Sequence, residues 1–363
     1  ISDSRGISVE ELNVIADNLE LTTADKAVEY NFVDGAVYRD DVISKLKEKT
    51  GRKDDEELNS VSFSNYSKAK VKDTKGFKRN IVAIVFAEGS IVQGNSSDQS
   101  MGSATIAKAI REAREDDKVK AVVLRVNSPG GDALASEIIR HEVELTGKKI
   151  PIIVSMGNLA ASGGYWISTN ADYIFAQPTT ITGSIGVFGV IPNFEGLFNK
   201  KLGINVDNVM TNKNSDFIDV MKPLSPFQLA KLNEVVGKIY TDFTELVART
   251  RNLDIAYVDS IAKGRVWAGA DAKGLGLIDE FGGIEDAIAY AAEKAELGDD
   301  YRISTYPRRK EFLAQLIDEL TGQTRQTLVK NELGEYYTYY QQMQTIKNLK
   351  GVQARLPFFM EIN

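Results

Sequence analysis

Apolar blocks alternate with amphipathic stretches along the middle of the chain. Short Val- and Ile-rich blocks predict buried strands, and longer stretches with helical periodicity predict helices. The predicted strands are 80–86, 121–126, 150–155, 173–176 and 206–210. The predicted helices are 104–114, 133–145, 162–169 and 226–249. Strands separated by helices of this length indicate an α/β domain with a parallel sheet.

A pattern near the start of the chain recurs far downstream. Arg5 and Asp34 in the first copy match Arg251 and Asp279 in the second, and each copy continues into an amphipathic helix. The second copy closes a long α/β region, whereas the first has no such region before it. We interpret 1–50 as the end of a first tandem repeat. The alternative is a small helical cap with a coincidental pattern.

Composition divides the rest of the chain into three parts. Residues 51–79 are rich in Lys, Asp, Ser and Gly, which is typical of an interdomain linker. The α/β pattern of 80–297 predicts the main domain. Residues 298–363 have a helical pattern and are interpreted as a C-terminal helical extension.

Charge and the scarcity of two residue types exclude several function classes. The net charge is −7 with no basic run, so no nucleic-acid partner is expected. The chain has no cysteine, which excludes a thiol nucleophile and cysteine-ligated zinc. It has one histidine, which excludes a histidine-rich metal site. We therefore expect neither a metal nor another cofactor.

No apolar run suggests a membrane span, which needs about 20 apolar residues. The sequence begins with Ile1 and shows no signal peptide. We expect the start of the natural protein to lie outside this sequence.

Three turns rich in glycine and small residues follow successive predicted strands. They read Asn127-Ser-Pro-Gly-Gly131, Ala160-Ala-Ser-Gly-Gly-Tyr-Trp166 and Thr182-Gly-Ser-Ile-Gly186. Glycines let backbone N–H groups face a ligand, and small neighbours let a substrate carbonyl reach a serine hydroxyl. Taken singly, the first turn could be an ordinary strand–helix connection and Ser162 a helix N-cap. Three such turns at the carboxyl ends of successive strands favour an active site.

These segments resemble the signature segments of the signal peptide peptidase A (protease IV) family. Residues 266–267 and 271–275 resemble a later block of that family. The likeness covers about 81–297, and it extends back to Ile1, which resembles the end of the first repeat in two-repeat, long-form members. It implies a Clp/crotonase-like α/β fold, a superhelix of β-β-α units with parallel strands.

The resemblance also implies a serine–lysine peptidase. Ser162 resembles the nucleophile, and the backbone N–H groups of Gly131 and Gly163 resemble the oxyanion hole. Gly130 is expected to contact the substrate, and Ser184 to help hold the catalytic lysine. Lysine is ordinarily protonated because its pKa is about 10.4, and burial in an apolar site lowers that pKa enough to make it a base.

The position of that lysine departs from the one-repeat pattern. One-repeat members carry it downstream of the serine, where this chain has Lys213 in a poorly matching context. Two-repeat members carry it in the first repeat. We therefore expect the base outside this chain, with Lys213 or Lys222 as alternatives. His141 is expected to be a surface or helix-packing residue.

The family resemblance finally implies a substrate and a location. The expected substrates are apolar peptides such as cleaved signal peptides. The expected setting is the bacterial inner membrane, with an anchor missing from this chain, the catalytic domain facing the periplasm, and a homo-oligomer, a tetramer in the family. One alternative is a crotonase-like acyl-CoA enzyme, although such enzymes use carboxylates rather than a serine. Another is a catalytically inactive membrane scaffold.

Overall fold

A computed structural model of the chain describes residues 1–306 and 352–355, apart from gaps at 19, 22–23, 38, 54–55, 57, 59, 62–65, 67–77, 98–99, 211–215 and 218. The chain divides into two compact units, 1–74 and 75–363. Most of the predicted linker therefore lies outside the described residues. No helix in the described part is both long enough and apolar enough to cross a membrane.

The described residues of the first unit include four helices. Their bounds are α1 Ser2–Arg5, α2 Val9–Asp17, α3 Ala24–Glu29 and α4 Arg39–Lys49. The Ser8 side chain caps α2 by accepting a hydrogen bond from the backbone N–H of Glu11 at 3.1 Å. Arg5 forms an ion pair with Asp34 at 2.8 Å, so the end of α1 is tied to the loop after α3.

The second unit is built on a largely parallel sheet. The main path of the sheet runs in the order β10-β8-β6-β4-β1-β12, β7 pairs with β6 and β11, and the pair β8–β10 is antiparallel. A smaller sheet has the order β3-β2-β5-β13-β9. The strands among the described residues of this unit are β1 Ile81–Glu88, β2 Ser90–Val92, β3 Ser100–Gly102, β4 Val119–Ser128, β5 Gly130–Asp132, β6 Ile152–Ala161, β7 Tyr173–Ala176, β8 Ile181–Gly183, β9 Phe188–Gly189, β10 Val266–Ala268, β11 Glu280–Phe281, β12 Arg302–Tyr306 and β13 Val352–Arg355.

Helices cover both faces of the large sheet because its strands are apolar on both faces. In β1, Ile81, Ala83 and Val85 face one buried cluster, whereas Val82 and Ile84 face another. The helices that the structure describes in this unit are α5 Ser103–Glu115, α6 Ala133–Gly147, α7 Gly163–Trp166, α8 Pro226–Arg251, α9 Ile255–Ile261, α10 Gly269–Gly274 and α11 Ile284–Lys294, and Gly196–Lys201 form a π-helical turn. The α/β class with a largely parallel sheet is therefore as predicted.

The two copies of the repeated pattern have matching local structure. Arg251 forms an ion pair with Asp279 at 2.7 Å, as Arg5 does with Asp34. The Asp254 side chain caps α9, as Ser8 caps α2. The copies end in α11 and α4, each of 11 residues.

Two predicted elements differ from the structure. The predicted strand 206–210 has no regular secondary structure, and Val209 is fully exposed. Its Val and Met residues suggested a strand, but no neighbouring strand pairs with it. In the predicted helical extension, 302–306 and 352–355 form strands, because each finds an open strand edge to pair with. Residues 307–351 and 356–363 of that extension lie outside the described residues.

Candidate active site

The three glycine-rich turns follow β4, β6 and β8, which are neighbours in the large sheet. Strands β4 and β6 are parallel, with Ser128 opposite Ala160. Strands β6 and β8 are also parallel, with Ala161 opposite Gly183. The carboxyl ends of these strands therefore lie at one edge of the sheet. Ser162 directly follows Ala161 and Ser184 directly follows Gly183, the two residues that lie opposite each other.

The backbone of Ser162 is strained. Its φ is 53° and its ψ is −114°, a region that costs a non-glycine residue about 1–3 kcal/mol. The Ser162 N–H donates to the carbonyl oxygen of Gly183 at 2.8 Å. Its hydroxyl donates to the carbonyl oxygen of Gly186 at 3.2 Å. Ser162 is fully buried, so both groups lie beneath the protein surface.

Ser184 also has a positive φ, of 49°. Its N–H donates to the carbonyl oxygen of Arg265 at 2.7 Å, and the N–H of Gly264 donates to the carbonyl oxygen of Ile185 at 2.9 Å. These bonds hold the third turn against the segment that leads into β10. Ser184 is also buried, at 2% exposure. The structure thus brings the two predicted serines to adjacent turns.

The predicted oxyanion and substrate glycines pack against one another. A Cβ atom added to Gly130, whose φ is 93°, would lie 2.6 Å from the backbone nitrogen of Gly163. A Cβ atom added to Gly163 would lie 3.1 Å from the backbone nitrogen of Gly131. The first distance is too short for a side chain and the second is tighter than most Cβ contacts, so glycine favours this close approach of the two backbones. Two N–H groups thereby come near the Ser162 turn, as an oxyanion hole requires.

Helix α7 is anchored directly behind Ser162. The indole Nε1–H of Trp166 donates to the Glu137 carboxylate on α6 at 3.0 Å, and its ring packs on Phe243 with centroids 4.4 Å apart. The buried Tyr165 hydroxyl donates to the carbonyl oxygen of Leu277 at 2.8 Å. Burial raises the pKa of Tyr165, so its hydroxyl stays protonated as a donor. These contacts fix the position of the turn that carries Ser162.

No candidate base within the described residues bonds to either serine. His141 lies on the exposed face of α6, as expected from the sequence. Lys222 forms an ion pair with Asp216 and so retains a partner for its positive charge. Lys213 lies outside the described residues. The described part of the chain also contains no cluster of three or more histidine, cysteine or carboxylate side chains that could hold a metal ion.

Two contacts at this site are not predicted from the sequence. The carbonyl of Gly186 accepts the Ser162 hydroxyl, whereas the sequence pattern indicates only Ser184 as a functional residue of that turn. The distant Ala354 lies against Gly130, since a Cβ atom on Gly130 would be 2.1 Å from the Ala354 carbonyl oxygen. The contact between Ser162 and Gly186 could have been expected, because the second and third turns follow neighbouring strands of the sheet. The contact of Ala354 with Gly130 could not, because nothing in the local sequence indicates that β13 pairs with β5.

Comparisons with known proteins agree with this architecture. The sequence profile of Peptidase family S49 matches residues 144–298. The chain is 40% identical to Protease 4 of Salmonella typhi over 341 residues, which are 90% of this chain and 53% of the relative. It is 32% identical to the chloroplastic serine protease SPPA of Arabidopsis thaliana over 367 residues, 99% of this chain and 53% of the relative.

A shorter relative is covered more completely. The chain is 32% identical over 222 residues to a Synechocystis protein named as a protease. This match covers 61% of this chain and 77% of the relative. By contrast, the chain spans about half the length of the Salmonella and Arabidopsis proteins.

Proposed function

The chain belongs to peptidase family S49, and from that premise we propose that it hydrolyses peptide bonds with Ser162 as the nucleophile. The observation that carries the proposal is the convergence of Ser162, Ser184 and the three glycines at one edge of the sheet. In this proposal the base takes the Ser162 hydroxyl proton while the serine oxygen adds to the substrate carbonyl carbon. The N–H groups of Gly131 and Gly163 stabilise the oxyanion of this tetrahedral intermediate, and Gly130 contacts the substrate. The intermediate then collapses to an acyl-enzyme as the C–N bond breaks and the amine leaves with the proton from the base, and water hydrolyses the ester to regenerate Ser162.

The general base is a lysine supplied from outside this chain, in an upstream repeat or a neighbouring subunit. Three observations support this. The Ser162 hydroxyl bonds to a backbone carbonyl, Lys222 is held by Asp216, and residues 1–50 repeat the local structure of 251–294. A neutral lysine also needs a water-poor apolar seam, which an interface between domains or subunits provides. Ser184 would hold its amine beside Ser162.

The proposed substrates are apolar peptides such as cleaved signal peptides. The Arabidopsis relative is named a serine protease SPPA, and an Enterococcus faecium relative carries the name of a signal peptide peptidase. Signal peptides contain an apolar segment, and their remnants remain in the membrane that they entered. The proposed location is therefore the bacterial inner membrane, with the catalytic domain facing the periplasm and an anchor outside this sequence.

A homo-oligomer, with a tetramer as the expected order, is the proposed assembly. The segment 190–210 exposes a run of large apolar side chains, which is typical of a surface buried against another subunit. They are Val190, Phe194, Leu197, Leu202, Ile204, Val206, Val209 and Met210. Sedimentation equilibrium of the full-length protein tests the assembly, and a monomer at micromolar concentration would contradict it.

The function is tested by offering the full-length protein two substrates in parallel. One is a fluorogenic apolar peptide and the other an acyl-CoA thioester, the substrate class of the crotonase alternative. We expect cleavage of the peptide, unaffected by a chelator, and no turnover of the thioester. Turnover of the thioester alone would overturn the proposal, and inactivity towards both substrates would favour the inactive scaffold.

A further inference from the structure

Strand β13 lies in a slot beside the glycines of the candidate active site. It is antiparallel to β5, with Ala354 opposite Gly131 and Arg355 opposite Gly130. On its other side it is antiparallel to β9, with Gln353 opposite Phe188. Without β13, strands β5 and β9 would present two facing unpaired edges. Such edges bind an extended peptide through main-chain hydrogen bonds.

The carbonyl oxygen of Ala354 lies against both Gly130 and Gly163. A Cβ atom added to Gly130 would be 2.1 Å from the Ala354 carbonyl oxygen, and one added to Gly163 would be 2.8 Å from it. The oxygen therefore lies between the two glycine turns whose N–H groups form the proposed oxyanion hole. Ser162 is fully buried in the same arrangement.

We propose that residues 352–355 occupy the peptide-binding slot as a pseudosubstrate, so that a substrate enters only when β13 leaves. The inference rests on the proposed function, because that function makes the slot a substrate site. A substrate peptide would pair with β5 and β9 in place of β13, antiparallel to both. The chain's own C-terminal segment would then be an intramolecular competitor that keeps the site closed.

The occupant also indicates what the slot accepts. Ala354 is fully buried and Gln353 is 4% exposed, so the residue beside Gly131 has little room for a larger side chain. A substrate whose carbonyl replaces that of Ala354 should therefore have a small residue at this position. A charged residue there would have to be buried without a partner, which is costly.

Peptide binding tests the inference without any need for turnover. The probe is a fluorescein-labelled peptide with the sequence of residues 351–357, titrated into the 363-residue chain and into a chain ending at Lys350, with fluorescence anisotropy as the readout. A tethered competitor has an effective concentration of about millimolar. We therefore expect the shortened chain to bind the probe at least about tenfold more tightly. Equal affinity in both chains would overturn the proposal.

A point variant covers the case in which the shortened chain does not fold. Ala354→Glu in the whole chain should release β13, tighten binding of the probe and speed amide exchange in 130–132. The matched control is Ala289→Glu, on the exposed face of α11, which should leave both probe binding and amide exchange in 130–132 unchanged. A folded Ala354→Glu chain that binds no probe would show that β13 is a fixed structural strand. Because neither peptide binding nor amide exchange depends on hydrolysis, a failure of the proposed function would appear separately, as inactivity of a protein that still binds peptide.

Discussion

Ser162 donates its backbone N–H to the carbonyl oxygen of Gly183, the residue immediately before Ser184, at 2.8 Å. The two serine turns are thus joined directly through their backbones. Gly183 itself has a φ of 72°, and a Cβ atom there would lie 2.8 Å from Cδ1 of Trp267. The distance between the two serines therefore depends on a position that favours glycine.

The variant Gly183→Ala should be both less stable and less active. The left-handed φ and the contact with Trp267 together should cost about 1–3 kcal/mol of unfolding free energy. Urea denaturation followed by circular dichroism measures the stability, and peptide hydrolysis by the full-length protein measures the activity. The control is Gly237→Ala, in the middle of α8, where nothing lies within 4 Å of an added Cβ.

The control should become more stable by up to about 1 kcal/mol, because alanine is a better helix former than glycine. If Gly183→Ala behaved like Gly237→Ala in both assays, the packing of the two serine turns would not depend on this residue.

The pH dependence of hydrolysis should identify the type of base. A lysine base must be neutral to accept the Ser162 proton, so kcat/KM should rise with pH through the depressed pKa of that lysine. A histidine base would instead give a rise near its ordinary pKa of about 6.5. A midpoint at that pH that disappears in His141→Ala would place the base on α6 and contradict the lysine proposal.

The sequence predicts which turns meet at the candidate site, but not the strand that lies beside them. Strands such as β4 and β6 are predictable because their apolar runs are buried on both faces, and the glycine turns follow from the strand ends. Strand β13 was not predictable, since its four residues gain their structure only by pairing with β5 and β9. The segment 206–210 shows the opposite error, because β-forming side chains do not make a strand without a partner.

The two repeated ion pairs should contribute unequally to stability. Burial disfavours the charge on Arg251, but its hydrogen bonds with Asp279 outweigh that effect and raise its pKa. The side chains of Arg251 and Asp279 are 10% and 25% exposed, whereas those of Arg5 and Asp34 are 29% and 92% exposed. We expect Arg251→Ala to cost about 2–3 kcal/mol of unfolding free energy, because it leaves the partly buried Asp279 carboxylate without its counter-charge and with the N–H of Ile174 as a remaining donor.

The matched variant Arg5→Ala should show no measurable change, because exposed ion pairs contribute little. Denaturant titrations of both variants provide the comparison. An equal loss of stability in the two would mean that burial does not set the strength of these pairs.

Acid should destabilise the chain partly through Glu144. The ammonium of Lys148 and the guanidinium of Arg140 lower the pKa of this carboxyl from 4.5 to about 2. A lowered pKa in the folded state stabilises the protein above pH 4.5, and that contribution is lost as the pH falls towards 2. Glu144→Gln should therefore show a smaller fall in unfolding free energy over this range.

The control for the acid titration is Glu245→Gln, on the exposed face of α8. Its pH dependence should match that of the unmodified chain. If Glu144→Gln also matched the unmodified chain, the cluster around Arg140 would contribute nothing to acid stability.

The identity of the nucleophile is tested most directly by hydrolysis of an apolar fluorogenic peptide by the full-length protein and its Ser162→Ala variant. The control is Ser168→Ala, which also removes a buried hydroxyl, one that donates to the carbonyl oxygen of Gly164 at 2.8 Å. Circular dichroism verifies that all three proteins fold. We expect Ser162→Ala to reduce hydrolysis to the uncatalysed background, while Ser168→Ala retains most of its turnover. Undiminished hydrolysis by folded Ser162→Ala would contradict the assignment of Ser162 as the nucleophile.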